Sequence, residues 1–390
     1  MKAQKIILSI LVFYTLFPTT SFGQVEKQKF ETTKLNKHAY IITRQWRAPG
    51  QKTNMGVVIG KKGILLINPI FDGSDEKEIT QFMSKIRQIS DKPIRYVINS
   101  NWDNHNTKAN WYFKDKDVTI ISHENVVYRD NTHTQLTFKE KFSLDIGTES
   151  IIAYRSQGHS FGHINIHLVN TNATFMSDSY RSQWMTIEGP FGLDGHFKGI
   201  DMALKMGNQK TKYIPGNTTS KIITYRSDLI KEKNLRLRFS NRVHQLTRLG
   251  KSNKEILKDN QIVAIFKQYN LYEYITGEIG DWAINPLFFD KKVKTNKFSI
   301  KKLKKYVGTY HLKGRSDVEI FIENGELFSK SIGQFYIKSV PTSDTHFWYN
   351  IQNLSIYQVF KMDDKNNVLG FTIEHFNIDH TRETLTYIKQ

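Results

Sequence analysis

The stretch from Val97 to Phe113, VINSNWDNHNTKANWYF, constrains the fold most because an apolar, strand-like run ends in a loop of polar side chains. Asp103 and His105 lie on this loop, and two groups of the same kind, His159 and Asp178, lie at the ends of other β-branched runs. Carboxylates and neutral imidazoles hold divalent metals where several of them converge on one open face. We therefore expect a fold in which several strand ends converge.

The pattern of the first two thirds of the chain predicts a sheet sandwich with helices outside. From Gln24 to Ser220, short β-branched runs alternate with polar turns, and Ser74–Ile89 has apolar residues at helical spacing. A helical pattern follows over Ser227–Leu249. Ser252 and Glu255 then form a capping box, which predicts the start of a further helix.

The polar loop resembles the metal loop of the metallo-β-lactamase superfamily. In that family a hydrophobic strand runs into the pattern HxHxDH, followed by a small-residue turn, an Asn and an aromatic residue. With residues 107–113 set on this turn, the four ligand positions fall on Asn101, Asp103, His105 and Asn106. The frame of the motif is present, although several ligand types differ from the family's pattern.

Three further segments resemble the same family in the same order. MGVVIGKKGILLINPIF resembles the opening strand pair and ends at Asn68, where the family usually has an Asp. SQGHSFGHINIHLVNTNATFMSDSYRS resembles the second ligand block and contains His159 and Asp178. KYIPGNTTS resembles the last block, normally Pro-Gly-His, with Asn217 at the His position. The resemblance spans Lys34–Ser220 and implies an α+β protein with the αββα sandwich of this family.

The resemblance also implies a degenerate metal site. Three of the family's histidine positions carry asparagine: Asn101, Asn106 and Asn217. The amide oxygen of asparagine is a neutral, hard and weak donor toward zinc. The groups that remain for a remodelled single-metal site are Asp103, His159 and Asp178, with His105 as a further ligand or proton shuttle. One divalent metal, zinc or another, would be the cofactor, and a metal-free cleft is the alternative.

Two functions follow from these residues. The first is a metal-dependent hydrolase in which one metal activates water against an ester, amide or similar carbonyl. The alternative is a catalytically inactive binding module for a sugar, peptide or lipid, with Trp102, Trp111 and Trp184 as aromatic contacts. His196 lies in a region that borders the substrate cleft in the family, so it is a further candidate. The fold hosts many chemistries, and the residues do not identify a substrate.

The chain divides near Thr295 into two patterns. Residues 24–295 form the metallo-β-lactamase-like domain, with a helical segment over 227–290. Residues 296–390 show only short strands separated by turn signals such as Asn324-Gly325, which predicts a small antiparallel barrel. The segments LKKYVGTY, ENGELF and PTSDTHFW resemble the lipocalin-like domain that follows the catalytic domain in some exported bacterial hydrolases.

Composition sets the remaining limits. Residues 1–23 combine Lys2 and Lys5 with an apolar run too short to span a bilayer, which predicts a signal peptide and an exported protein, periplasmic or secreted. We expect no transmembrane anchor after its cleavage. The chain has no cysteine, which excludes disulfides and thiol nucleophiles. The formal charge is +19, but the lysines are dispersed and no nucleic-acid motif is present, so no nucleic-acid partner is expected.

Overall fold

The structure is a computed structural model. It describes residues 30–45, 50–128, 132–160, 162–183, 185, 192–219, 221–269, 295–315, 317–331, 337–351, 354–376 and 382–390. The signal peptide predicted for residues 1–23, the later part of the helical segment predicted for 227–290, and Trp184 lie outside the described residues.

The first part of the described chain forms one twelve-stranded mixed sheet. Its strands are β1 (Phe30–Lys34), β2 (Ala39–Gln45), β3 (Lys52–Ile59), β4 (Ile64–Ile67), β5 (Ile94–Asn99), β6 (Thr119–His123), β7 (Leu136–Phe138), β8 (Lys141–Asp145), β9 (Ser150–Arg155), β10 (Ile164–Leu168), β11 (Ala173–Ser182) and β12 (Lys212–Thr218). The order is β7-β6-β5-β4-β3-β12-β11-β10-β9-β8, with β2 pairing to β3 and β1 to β2. Strands β4, β5, β6 and β7 run parallel to one another, and β11 runs parallel to β12.

Eight α-helices are assigned in the described residues. They are α1 (Glu76–Ile89), α2 (Asn104–Thr107), α3 (Asn110–Phe113), α4 (Gly192–Met206), α5 (Arg226–Arg248), α6 (Asn253–Ile256), α7 (Asn260–Phe266) and α8 (Ile300–Leu303), with short 3-10 helices at Glu124–Tyr128 and Lys304–Tyr306. The predicted helix over Ser74–Ile89 corresponds to α1, which begins after the capping side chain of Asp75. The capping box of Ser252 and Glu255 starts α6 as predicted.

The alternation of side chains along the strands produces four layers. Leu65 of β4 packs in one core with Ile166 of β10 and Phe175 of β11, so the two halves of the sheet face each other. The next residue, Leu66, packs on the opposite face against Phe82 of α1. Each such buried side chain contributes about 1.5–3 kcal/mol relative to an exposed one. The first half of the sheet is therefore covered on its outer face by a helix.

The second half of the sheet is covered by two helices in the same way. Met176 and Tyr180 of β11 pack with Ile200 of α4 and Leu229 of α5. Further along α5, Phe239 packs with residues of α6 and α7. The layers are helix, sheet, sheet, helix, in agreement with the predicted sandwich.

The last part of the chain forms a closed eight-stranded barrel in which every pair of neighbours is antiparallel. Its strands are β13 (Gly308–His311), β14 (Val318–Glu323), β15 (Glu326–Ser331), β16 (Ile337–Pro341), β17 (His346–Ile351), β18 (Leu354–Met362), β19 (Val368–Phe376) and β20 (Arg382–Lys389). Aromatic side chains fill its core: Tyr306, Tyr310, Phe347, Phe360, Phe371 and Tyr387. The antiparallel barrel agrees with the prediction, whereas the lipocalin-like relationship and the boundary near Thr295 stay predictions. No helix among the described residues is long and apolar enough to cross a membrane.

A buried carboxyl group lies in the helical layer. Glu232 of α5 is enclosed, and its Oε2 accepts a hydrogen bond of 3.2 Å from the hydroxyl of Tyr269. Burial raises the pKa of Glu232 to about 7, although Arg236 and the bond from Tyr269 act in the opposite direction. The folded protein therefore favours the neutral form of this side chain.

Glu232 should make folding stability depend on pH. Between about pH 4.5 and 7 the folded state keeps a proton that the unfolded state releases, so stability falls as the pH rises. At 1.36 kcal/mol per pKa unit, this loss is about 3 kcal/mol, and it should be absent in Glu232→Gln. Urea unfolding of both proteins at several pH values between 4 and 8 measures it. Parallel stability curves for the two proteins would contradict the assignment.

Candidate functional site

The candidate site lies beside the ends of β4, β5 and β12 and beside a break in β11. Asn68 directly follows β4, and Asn101 lies two residues beyond β5, its parallel neighbour. Asp178 and Asn217 lie on the parallel pair β11 and β12. The polar loop turns into the short helix α2, which carries His105 and Asn106 towards the same point. β4, β5 and β12 thus contribute residues at or beyond their ends, as the sequence predicts, whereas Asp178, predicted at a strand end, lies within β11.

Asn68 joins the two segments that carry the site. Its Nδ2 donates to Ser100 Oγ at 2.7 Å and to Ser177 Oγ at 3.1 Å, and its Oδ1 accepts from the backbone N–H of Ser100 at 2.7 Å. Ser100 and Ser177 directly precede Asn101 and Asp178. Asn68 has φ 47° and Ser177 has φ 46°, a region that non-glycine residues seldom occupy. These bonds hold the two segments at a fixed separation.

A break in the pairing of β11 with β12 directs Asp178 into the site. The register shifts on both sides of Ser177, which is paired with Pro215, and pairing resumes at Arg181 opposite Asn217. Such irregularities redirect side chains near functional sites. Gly216 allows the close approach, because a Cβ there would overlap the backbone of Ser177. The backbone around Asp178 departs from regular pairing, and the carboxylate of Asp178 faces Asn217.

The carboxylate of Asp178 is buried and enclosed by hydrogen-bond donors. Oδ2 accepts from Asn101 Nδ2 and from Asn106 Nδ2, each at 2.8 Å, and Oδ1 accepts from Asn217 Nδ2 at 3.0 Å. His105 Nε2 lies 3.1 Å from Oδ2. Asn101, Asn106 and Asn217 thus all donate to one carboxylate. We call Asn101, Asn106 and Asn217 around Asp178 the amide cage.

The hydrogen-bond network determines the orientation of the amides. Asn101 Oδ1 accepts from the backbone N–H of Asp103 and from Asn106 Nδ2, both at 2.8 Å. Its Nδ2 is therefore the atom left to face Asp178. Rotation of either amide by half a turn would place its oxygen against the carboxylate and remove these bonds. The amides consequently present N–H groups, and not ligand oxygens, to the centre of the site.

The second acid of the site forms an ion pair with a histidine. His159 Nε2 lies 2.9 Å from Asp103 Oδ2, and the two side chains are 15% and 23% exposed. Burial alone would lower the pKa of His159, but the charges of Asp103 and Asp178 raise it above its ordinary value. Burial would raise the pKa of Asp103, and His159 lowers it. The pair is thus stabilised in its charged form.

The charges of the site balance within the protein. Burial would raise the pKa of Asp178, but His105, His159 and Arg181 together lower it well below its usual range. The guanidinium of Arg181 is 4.0 Å from Asp178 Oδ1. Two carboxylates, Asp103 and Asp178, therefore lie close to the imidazole of His159 and to one guanidinium.

Asp103, His159 and Asp178 could hold a metal ion. Each offers one ligand atom, and these atoms lie within 4.8 Å of one another. The same groups also form hydrogen bonds with each other and with neighbouring amides. The ligand atoms of Asp103 and His159 are bonded to each other, and both oxygens of Asp178 accept N–H groups. The structure thus brings the three predicted ligands together, and each of them takes part in hydrogen bonds.

The other predicted site residues occupy different environments. Trp102 is only 5% exposed and packs with Val126 and Phe328, so the prediction that it contacts a ligand is wrong. Trp111 is 49% exposed, with the Nζ of Lys114 over its ring at 3.5 Å. His196 is buried in α4, close enough to His159 for the two imidazoles to interact electrostatically. Burial, and then Arg236, lower the pKa of His196 to about 3, so this imidazole is neutral at physiological pH.

Sequence reasoning did not find three residues of the site. Ser100 and Ser177 are ordinary polar residues in the sequence, and only their bonds to Asn68 reveal a role. Arg181 lies three residues after Asp178, a spacing that a regular strand would place on opposite faces, so its role also depends on the break in β11. Asn68 stood out as a departure from the family's pattern, but its role required the folded geometry.

No protein-family model matches this chain, and no curated protein matches it. Solved structures of metallo-β-lactamases are similar to about half of it. A metallo-beta-lactamase from Pontibacter korlensis has a TM-score of 0.44 and 14% identity, covering 53% of this chain and 98% of that one. Metallo-beta-lactamase IND-7 has a TM-score of 0.45 and 14% identity, covering 54% and 100%. The enzyme from Hirschia baltica has a TM-score of 0.44 and 15% identity, covering 53% and 96%.

Removing one donor from the amide cage should destabilise the fold. Asn106→Leu keeps a similar volume but deprives Asp178 Oδ2 and Asn101 Oδ1 of their bonds from Nδ2. Hydrogen bonds to buried charged groups contribute about 1.5–3 kcal/mol, so we expect a loss of that size in denaturant unfolding. Asn104→Leu is the matched control, because Asn104 is exposed on the same short helix. Equal effects of the two substitutions would show that the amide cage contributes nothing specific.

Proposed function

We propose that this chain is a divergent member of the metallo-β-lactamase superfamily whose cleft works without a metal, as a non-catalytic binding module. The observation that carries this proposal is the amide cage. Asn101, Asn106 and Asn217 direct their N–H groups at Asp178, at the positions where the family's histidines would direct lone pairs at a metal. Hydrogen bonds thus take the place of metal coordination.

Electrostatics support a metal-free state. A divalent cation beside Asp178 would face the positive ends of three amide groups and lie near the guanidinium of Arg181. Metal ligation also requires a neutral imidazole, whereas the environment of His159 favours its protonated form. Uptake of a metal would therefore require the loss of a proton and of the Asp103–His159 bond.

The cleft still offers polar groups to a ligand. The side chains of His105, His159 and Asp103 are 26%, 15% and 23% exposed, so their edges can be reached from solvent. Imidazole and carboxylate groups bind hydroxyl and amide groups through hydrogen bonds. Of the ligand classes predicted from the sequence, these groups favour a sugar or a peptide over a lipid. The signal peptide predicted for residues 1–23 supports an exported location, periplasmic or secreted.

A second candidate function is a hydrolase with one metal. The ligand atoms of Asp103, His159 and Asp178 lie within 4.8 Å of one another, and these residues would hold the ion. When bound, a divalent metal of this kind activates water and polarises a carbonyl group. His105 would hold or move a proton at Nε2, which lies 3.1 Å from Asp178 Oδ2.

Metal analysis distinguishes the two candidates. Protein purified without chelator should contain far less than one zinc or other divalent ion per chain. EDTA should leave its melting temperature unchanged, because a metal that binds only the folded state would add stability. One tightly held ion per chain, with a hydrolytic activity that EDTA removes, would establish the second candidate instead.

A variant with histidine at the three asparagine positions tests whether these positions can bind a metal. Asn101→His, Asn106→His and Asn217→His in one protein replace the three amide donors with imidazoles on the same backbone. This variant should bind zinc, and zinc should raise its melting temperature in a manner that EDTA reverses. A folded triple variant that takes up no zinc would show that these three positions do not converge as the amide cage requires.

A further inference from the structure

One aromatic side chain on the outside of the barrel is almost completely covered. Leu327 of β15 packs in the barrel core, so the alternation of the strand directs the next residue, Phe328, outward. Phe328 is nevertheless only 3% exposed. It is covered by Trp102 and Val126, which belong to the sandwich. The outer face of the barrel therefore packs directly on the segments that form the candidate site.

The residues that cover Phe328 come from segments that both adjoin the site. Trp102 lies between Asn101 and Asp103 on the polar loop. Val126 lies in the 3-10 helix after β6 and contacts the loop that carries His159, because a Cβ on Gly162 would lie 3.0 Å from Val126 Cγ2.

The two loops are also joined to each other. The backbone N–H of Ile164, at the end of the His159 loop, donates to the carbonyl of Ser100 at 2.8 Å. Ser100 precedes the polar loop and is held in turn by Asn68. Phe328 thus packs at the place where both loops of the site meet.

The barrel holds Phe328 in a defined orientation. Phe321 of β14 is its partner in the strand pair and stacks against it, with ring centroids 5.9 Å apart and an angle of 27° between the planes. Lys330 lies over the ring of Phe321 at 5.4 Å and forms an ion pair with Glu319 at 2.9 Å. A stacked aromatic pair is rigid enough to act as a fixed surface for the loops.

We propose that Phe328 is a positioning residue for the candidate site, and that the barrel is required to hold the polar loop and the His159 loop in register. The inference deepens the proposed function and rests on it, since it concerns the same cleft. The barrel is then part of the binding site and not an independent appendage. Any ligand of the cleft binds only a protein in which the barrel is docked.

Hydrogen–deuterium exchange of the full chain tests this proposal. Phe328→Ala should raise the exchange of residues 100–107 and 156–160 by about tenfold or more, while strands of the barrel keep their protection. Phe371→Leu is the matched control, because Phe371 packs in the barrel core, whereas Phe328 packs with Trp102 and Val126. That variant should loosen the barrel more than the two loops. Phe328→Leu, which keeps most of the contact area, should restore loop protection.

Two results would overturn the proposal. Unchanged exchange of both loops in Phe328→Ala would show that the barrel does not position them. Equal loosening of the loops in Phe371→Leu would show that the loops respond only to barrel stability. If Phe328→Ala fails to fold, Phe321→Ala removes the stacked support of Phe328 from the barrel side and carries the same expectations. Exchange is measured without ligand or metal. A negative result therefore contradicts the role of Phe328 alone, whereas the metal analysis tests the proposed function separately.

Discussion

The arrangement of the sandwich depends on how the buried carboxylate of Asp178 is satisfied. A charged group removed from water is costly unless donors and opposite charges surround it, and here they come from distant parts of the chain. Asn101 and Asn106 follow β5, Asn217 lies on β12, and Asp178 itself leaves β11 at a break in the ladder. Both halves of the sheet must be in place before this charge is satisfied. The polar centre can therefore form only when the whole sandwich is assembled.

The proposed function assigns to hydrogen bonds at this centre the role that a metal would otherwise have. A zinc ion compensates carboxylates by its charge and by directed bonds. Amide hydrogens, an imidazole near one oxygen of Asp178 and the guanidinium of Arg181 provide both effects here. Asn68 and the serines it binds keep the supporting framework rigid regardless of what occupies the centre. A stable core and a changed chemistry are therefore compatible, because the framework and the occupant are separate sets of contacts.

Much of the fold follows from periodicity, whereas the character of the site does not. Alternation predicts the strands, helical spacing predicts α1, and the pair Ser252 and Glu255 predicts the start of α6. The sequence also indicates which groups approach each other, since strand ends meet at one place. It cannot indicate which end of an asparagine amide faces a carboxylate, because that depends on the backbone N–H of Asp103. The burial of Trp102 was unpredictable for a similar reason, because its partner Phe328 lies more than two hundred residues away.

The amide cage has a consequence at the level of the gene. Asparagine and histidine codons differ only in their first base, so each of the three positions is one point mutation from a metal-binding side chain. Selection could move such a protein between coordination chemistry and pure recognition without rebuilding its scaffold, provided that intermediates with one or two imidazoles tolerate the carboxylate of Asp178. Asn101 would be the most constrained of the three, since its oxygen also caps the turn at Asp103. The order in which the three changes can be accumulated is thus set by hydrogen bonds that have no part in ligand binding.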